Sequence, residues 1–333
     1  MRIRRAGALA AAAGLLTIAG PAVATPELDP DAPCPVPSCD VAVAATRKGQ
    51  LKLLDATDGQ LYGHLDLRPP HVDEDGLEVP PITSISLHGD DVYYSVYENE
   101  INAYGIWRTT TAGSELERLA DGAAPAVSPD GRFLAYSFDP TGPARGRGTT
   151  SIAVRDLRSG KERHIAPASS EHEDDPAVAG GFIDAISWSP DSARLAYSVA
   201  YRLPGPPPST THGVFVFDLA SQEWLLDSRW FERPFRSPSW SAEDGLLAVS
   251  SCCFSDVDGI GRVFRLDPVM GGETEVDTSG GVPLSDEAVG MVDARDTYGT
   301  ELLVVRDASG ALDRIGPRGE LRRLGSGYAA VDW

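Results

Sequence analysis

The chain has 333 residues, enough for one large domain or two small ones, and its 49 Asp and Glu against 29 Lys and Arg leave a formal net charge of −20. A surface this acidic repels phosphate backbones and anionic lipid, so nucleic acid is not an expected partner. Beyond the N-terminal stretch, no segment approaches the roughly 20 apolar residues that span a bilayer, and no transmembrane anchor is expected.

Residues 1–24 place Arg2, Arg4 and Arg5 ahead of an apolar run from Ala6 to Ala19 and end on Ala22-Val23-Ala24. That is the pattern of a secretory signal cut after Ala24, and it sends the mature chain to the periplasm or outside the cell. Residues 25–40 are mostly Pro, Asp and Ala and read as an extended leader without a core. In an exported chain four cysteines favour disulfides. Cys34 and Cys39 can close a small loop and Cys252 and Cys253 are adjacent, but either of the latter can also pair with Cys34 or Cys39, so three connectivities stay open. No nearby His completes either pair as a zinc site.

From Val41 onward the chain reads as strands. The stretch APAVSPDGRFLAYS, Ala124 to Ser137, returns as AISWSPDSARLAYS at Ala185 to Ser198 and more loosely as SPSWSAEDGLLAVS at Ser237 to Ser250. Each copy is a hairpin: an apolar strand, a Ser-Pro-Asp type turn, and a second strand rich in Leu, Ala, Val and Tyr. The copies lie roughly 50 to 60 residues apart, the period of a propeller blade. Three strands are expected near Val41–Thr46, Gln50–Asp55 and Gln60–Leu67, followed by five complete four-stranded units that start at Ile82, Ala124, Ile183, Pro238 and Ala288. A last strand, Tyr328 to Trp333, has no hairpin partner after it. Trp333 occupies the repeat position of Trp188 and Trp240, and the N-terminal unit lacks that same innermost strand. Joining the two gives a sixth blade and removes both sheet edges. The expected fold is therefore all-β: residues 41–333 as a six-bladed β-propeller closed by a C-terminal strand joining three N-terminal strands. The repeated tryptophans are expected to pack between blades.

The Ser-Pro-Asp-Gly turn at 128–131 with Arg-Phe-Leu-Ala-Tyr-Ser after it, and Ser-Ile-Ala-Val-Arg-Asp-Leu-Arg-Ser-Gly-Lys-Glu at 151–162, resemble the repeat of the TolB-type family of six-bladed propellers. The resemblance implies an exported scaffold that binds a protein or peptide without catalysis, acting as a monomer. Similar repeats also gate peptidases and form the propellers of some sugar-processing lyases, so a carbohydrate- or peptide-processing hydrolase or lyase at the channel mouth is the alternative. The chain departs from TolB itself in having no α/β domain between the expected cleavage site and the first strand.

Connections between first and second strands, and between third and fourth, fall on one face and are short; the others fall on the opposite face and are long. Long loops on a rigid scaffold are where binding residues concentrate. The contact residues expected there are His71, Asp73, Asp75, His172, Asp174, Asp175, Tyr201, Trp230, Phe231 and Arg233. Acidic loop tips suit a basic ligand, and the adjacent aromatics Trp230 and Phe231 need cover or a partner. A cluster of His71, His172 and His212 inside a cleft would favour the enzyme instead. No nucleophile elbow, metalloprotease helix, phosphate loop or dinucleotide fingerprint occurs, and no cofactor or metal is expected. One stretch superficially follows a calcium loop, with Asp256, Asp258, Gly261 and Asp267 at its first, third, sixth and twelfth positions, but Ile260 takes a ligand position and a strand follows.

Overall fold

A computed structural model describes residues 41–66, 71–72, 78–79, 82–98, 103–113, 116–140, 151–165, 181–203, 209–228, 234–241, 245–250, 262–268, 270–276, 289–294, 302–306, 309–316 and 320–332. They form six four-stranded antiparallel sheets and one two-stranded hairpin. Blade 1 runs β6 (Ile82–His88), β7 (Asp91–Glu98), β8 (Ala103–Thr110) and β9 (Glu117–Asp121); blade 2 runs β10 (Ala123–Val127), β11 (Phe133–Phe138), β12 (Ser151–Asp156) and β13 (Glu162–Ile165). Blade 3 contains β14 (Phe182–Trp188), β15 (Arg194–Leu203), β16 (Ser209–Asp218) and β17 (Glu223–Asp227), and blade 4 contains β18 (Phe235–Trp240), β19 (Leu246–Ser250), β20 (Val263–Leu266) and β21 (Glu273–Glu275). Blade 5 is β22 (Val289–Ala294), β23 (Leu302–Arg306), β24 (Leu312–Ile315) and β25 (Leu321–Gly325). Blade 6 is the composite one: β26 (Tyr328–Asp332) pairs with β1 (Val41–Thr46), followed by β2 (Gln50–Asp55) and β3 (Leu61–Asp66).

The core is divided into six clusters, and each lies between two adjacent blades. This explains the near-continuous apolar second strands. In β11, Leu134 and Tyr136 face blade 1 while Ala135, between them, faces blade 3. A strand covered on both sides has no solvent face to keep polar, so the usual alternation is lost. Trp188 and Trp240 pack in these clusters as their repeat position requires. The Trp188 indole Nε1 donates to the Ala126 carbonyl of blade 2 at 2.9 Å, and the Arg194 guanidinium of blade 3 lies 4.9 Å from the Trp240 ring centroid.

The Ser-Pro-Asp turns close by side-chain hydrogen bonds that only this sequence supplies. Ser128 Oγ donates to Asp130 at 2.6 Å and accepts the Phe133 N–H at 2.8 Å; Ser189 and Asp191 repeat the arrangement at 2.5 Å, with Arg194 N–H on Ser189 at 2.8 Å. Asp130 and Asp191 in turn accept the N–H groups of Arg132 and Ala193, so the reversal is internally satisfied.

Two expectations about the opposite face change. The connection after blade 6 contains a short hairpin, β4 (His71–Val72) with β5 (Glu78–Val79), where a plain loop was expected. In blade 3 the loop expected from Tyr201 to His212 is mostly strand: β15 and β16 stay paired out to Leu203 and Ser209. Its Pro-rich centre reads as a break, but a ladder already in register continues until the chain itself must reverse.

Candidate functional site at the loop-face end of blade 3

The strand ends define two faces. The first-to-second and third-to-fourth turns lie on one, the turn face. On the other, the loop face, lie the ends of β3, β11, β13, β15, β17, β19 and β21, from which the chain's longer connections leave. Most of the residues expected to form the site belong to those connections. Asp73, Asp75, His172, Asp174, Asp175, Trp230, Phe231 and Arg233 lie outside the described residues, as do Cys34, Cys39, Cys252 and Cys253 and the calcium-like Asp256 and Asp258. His71 is described only as part of β4.

Tyr201 is placed, and not on a loop tip. It sits in β15 with 3% of its surface exposed, within the blade 2–blade 3 cluster. Its ring lies under the chain at Gly181, where an added Cβ would meet Val199 Cγ1 at 2.7 Å and Tyr201 Cδ1 at 3.0 Å. Gly181 therefore lets the start of β14 lie flat on Tyr201. Tyr201 contributes packing beneath the face, under Gly181, the residue before Phe182.

The most informative feature repeats in all six blades. Near the loop face every inner strand slips register against its partner, so that two inner-strand residues oppose one. Bulges of this kind bend a strand and re-aim a side chain. The inner-strand residues at the bulges are Thr83, Ala124 with Pro125, Asp184, Ser237 with Pro238, Gly290 and Ala329. In blades 1 to 3 a buried serine of the second strand closes the bulge: Ser95 bonds Thr83 Oγ1 at 2.9 Å, Ser137 donates to the Ala123 carbonyl at 3.0 Å, and Ser198 donates to Asp184 Oδ1. The serine of the Leu-Ala-Tyr-Ser motif thus has a structural task, and blade 3 alone gives it a carboxylate.

Asp184 has a second neighbour. His212 Nε2 on β16 lies 3.4 Å from Asp184 Oδ2. The imidazole side chain is 14% exposed and its Nδ1 is buried with no hydrogen-bond partner among the described residues, so a proton on that nitrogen would have no acceptor. Asp184 itself remains 26% exposed. Two residues earlier in β14, Phe182 is 44% exposed, with buried Ile183 between them. Blade 3 thus presents an aromatic ring and a held carboxylate together, beside the longest hairpin among the described residues. Sequence reading named His212 but missed Phe182, Asp184 and Ser198. Aligning the six inner strands at the bulge would have found Asp184, since it alone is charged there.

This arrangement can bind; it does not supply a nucleophile. Ser198 is fully buried, and its hydroxyl donates a hydrogen bond to Asp184 rather than to His212. Among the described residues no three His, Cys, Asp or Glu side chains converge as a metal site, and no helix is long and apolar enough to cross a membrane.

These features define a six-bladed β-propeller with one distinctive blade. No protein-family model and no curated protein sequence matches the chain. Solved structures do match in fold. A chain of a nidogen/laminin complex superposes with a TM-score of 0.54 at 12% identity, covering 88% of this chain and 97% of that one. TolB from Acinetobacter baumannii also superposes at 0.54, with 16% identity, over 88% of this chain and 65% of its own. The likeness is one of architecture: this chain spans about two thirds of TolB.

Proposed function

We propose that the protein is an exported, TolB-like propeller that binds a protein or peptide on its loop face without catalysing a reaction. The observation that supports this reading is the departure of blade 3 from the six-fold repeat. At the one bulge that carries a carboxylate, an exposed phenylalanine stands beside it and the supporting hairpin is lengthened. Repeats conserve what the ring needs, so a feature confined to one blade and exposed at the surface serves something outside the ring. Export is supported by the secretory pattern of residues 1–24, and the acidic charge favours a partner with a basic surface. The enzyme reading draws no support from Ser198, Asp184 and His212, whose order leaves the hydroxyl buried.

The reading is tested by crosslinking and mass spectrometry on the secreted mature protein, alongside a Trp230→Ala/Phe231→Ala double variant and a Phe182→Ala variant. A partner captured by the parent and lost from either variant supports a loop-face platform. Equal capture by all three removes the loop face as the contact surface.

A further inference from the structure

We propose that the corner formed by Phe182, Asp184 and His212 is a subsite for one cationic side chain, an arginine or lysine, of the docking protein or peptide. This rests on the binding-scaffold reading and specifies the chemistry that the partner brings. Several other carboxylates among the described residues are already occupied. Asp313 is held by Arg306 and Arg323, and Glu98 accepts the Trp107 indole and the Arg118 guanidinium. Asp156 and Asp218 take two N–H groups each from their own turns. Each is matched by a cation or consumed locally.

Asp184 differs from these four; Glu162 on β13 is held in a similar way, by the Tyr136 hydroxyl and His164 Nε2, but in a strand pair without a bulge. The two oxygens of Asp184 face a hydroxyl and an imidazole, which orient the carboxylate but bring no fixed positive charge. It is also partly open to solvent. A carboxylate that accepts one hydroxyl and faces one imidazole keeps further lone pairs, so an incoming N–H can be taken without displacing either. Phe182, two residues earlier in β14, adds an exposed aromatic ring, and a ring near a carboxylate favours an alkylammonium or guanidinium over a neutral group. The bulge at Asp184 supplies the aim, since two residues opposing Ser198 turn the side chain out of the ladder. Ser198 and His212 are positioning residues here: neither needs to touch the ligand.

The test uses the full mature chain and two short probes, N-acetyl-Gly-Arg-Gly-amide and the same peptide with citrulline, the neutral isostere of arginine. Titration followed by NMR should show saturable binding of the arginine probe, with citrulline at least tenfold weaker. Asp184→Asn should reduce arginine affinity at least tenfold and abolish the discrimination, and Phe182→Leu should weaken it several-fold. Absence of saturable arginine binding in the parent, or equal affinity for the two probes, overturns the proposal without any variant. Unchanged affinity in a folded Asp184→Asn chain does so as well. The outcomes separate from those of the scaffold reading: partner capture that persists in Asp184→Asn sinks the subsite and leaves the scaffold, whereas probe binding with no captured partner sinks the scaffold alone.

Discussion

The main-chain N–H of Leu87, on the inner strand of blade 1, donates to the carboxylate of Asp332, on the C-terminal strand, across 245 positions of the chain. The same bond recurs elsewhere around the ring with serine as acceptor: Val127 N–H on Ser86 at 3.0 Å, and Trp240 N–H on Ser187 at 3.2 Å. In blade 2 the acceptor position is Ala126, and there the Trp188 indole bonds the Ala126 carbonyl instead. A single device links successive inner strands, and Asp332 applies it where the ring closes.

Asp332→Ala should therefore destabilise the protein by about 1–2 kcal/mol, because the Leu87 N–H loses its acceptor at a partly buried site. Asp332→Ser should recover most of that, since serine fills the role in blades 1 and 3. Urea unfolding of the three proteins checks both. An Asp332→Ser chain as unstable as Asp332→Ala would show that the shared role is not the source of the stability.

Blade 5 contains a buried ion cluster. Arg306 and Asp313 are about 1% exposed or less and meet at 3.0 Å, with Arg323 completing the carboxylate from the surface. Removing one partner strands a buried charge, so Asp313→Ala should cost about 3–5 kcal/mol. Replacing both residues, as in Arg306→Met with Asp313→Leu, should cost much less than Asp313→Ala alone. Calorimetric melting of the single and double variants decides it, and additive losses would contradict this account.

Acid should weaken the turn face first. Hydrogen bonding from Ser189 holds Asp191 below the ordinary carboxylate range, and the Ser159 and Ser221 N–H groups do the same for Asp156 and Asp218. A carboxyl whose pKa is lower folded than unfolded stabilises the fold fully above the unfolded value, about 4, and loses that contribution as pH falls through the folded value. Stability should thus be flat from about pH 7 to 5 and decline below about 4. Asp191→Asn should shallow the decline, measured as denaturation midpoint against pH; an unchanged slope would remove Asp191 from the explanation.

Gln222 occupies a position that glycine holds in equivalent turns. Its φ is 60°, beside 77° at Gly59, 69° at Gly160 and 69° at Gly271, and each N–H bonds the carbonyl of the turn's leading aspartate. A side chain in the left-handed region costs about 1 kcal/mol or more, partly offset by the greater unfolded freedom of glycine. Gln222→Gly should stabilise the chain by about 0.5 kcal/mol, read as a small rise in melting temperature. A fall would mean that the Gln222 side chain contributes packing that outweighs the strain.

Most of the ring was legible because it is written locally and repeatedly. Apolar strands, Ser-Pro-Asp turns and a repeated strand-end tryptophan each act over a few residues, so β1, β2, β12, β17 and β24 fall within a residue or so of where the pattern places them. The unpaired final strand and the missing inner strand of the first unit were complementary facts about one sequence, and closure followed from the cost of leaving two edges open. The site was legible only in outline. The face bearing the long connections could be deduced from strand order, but Tyr201 was assigned to a loop because the Pro-rich run after it signals one. Hairpin pairing continued past the expected break and buried it.

The sequence by itself determined the fold class, the blade boundaries and the pairing of the two ends, since these depend on periodicity and turn chemistry that any short window displays. Only the tertiary structure decided that Phe182, Asp184, Ser198 and His212 form one corner. That meeting needs a one-residue bulge on β14 and the register that sets His212 against Ala200, and both are properties of strands packed side by side, invisible to a chain read one residue at a time.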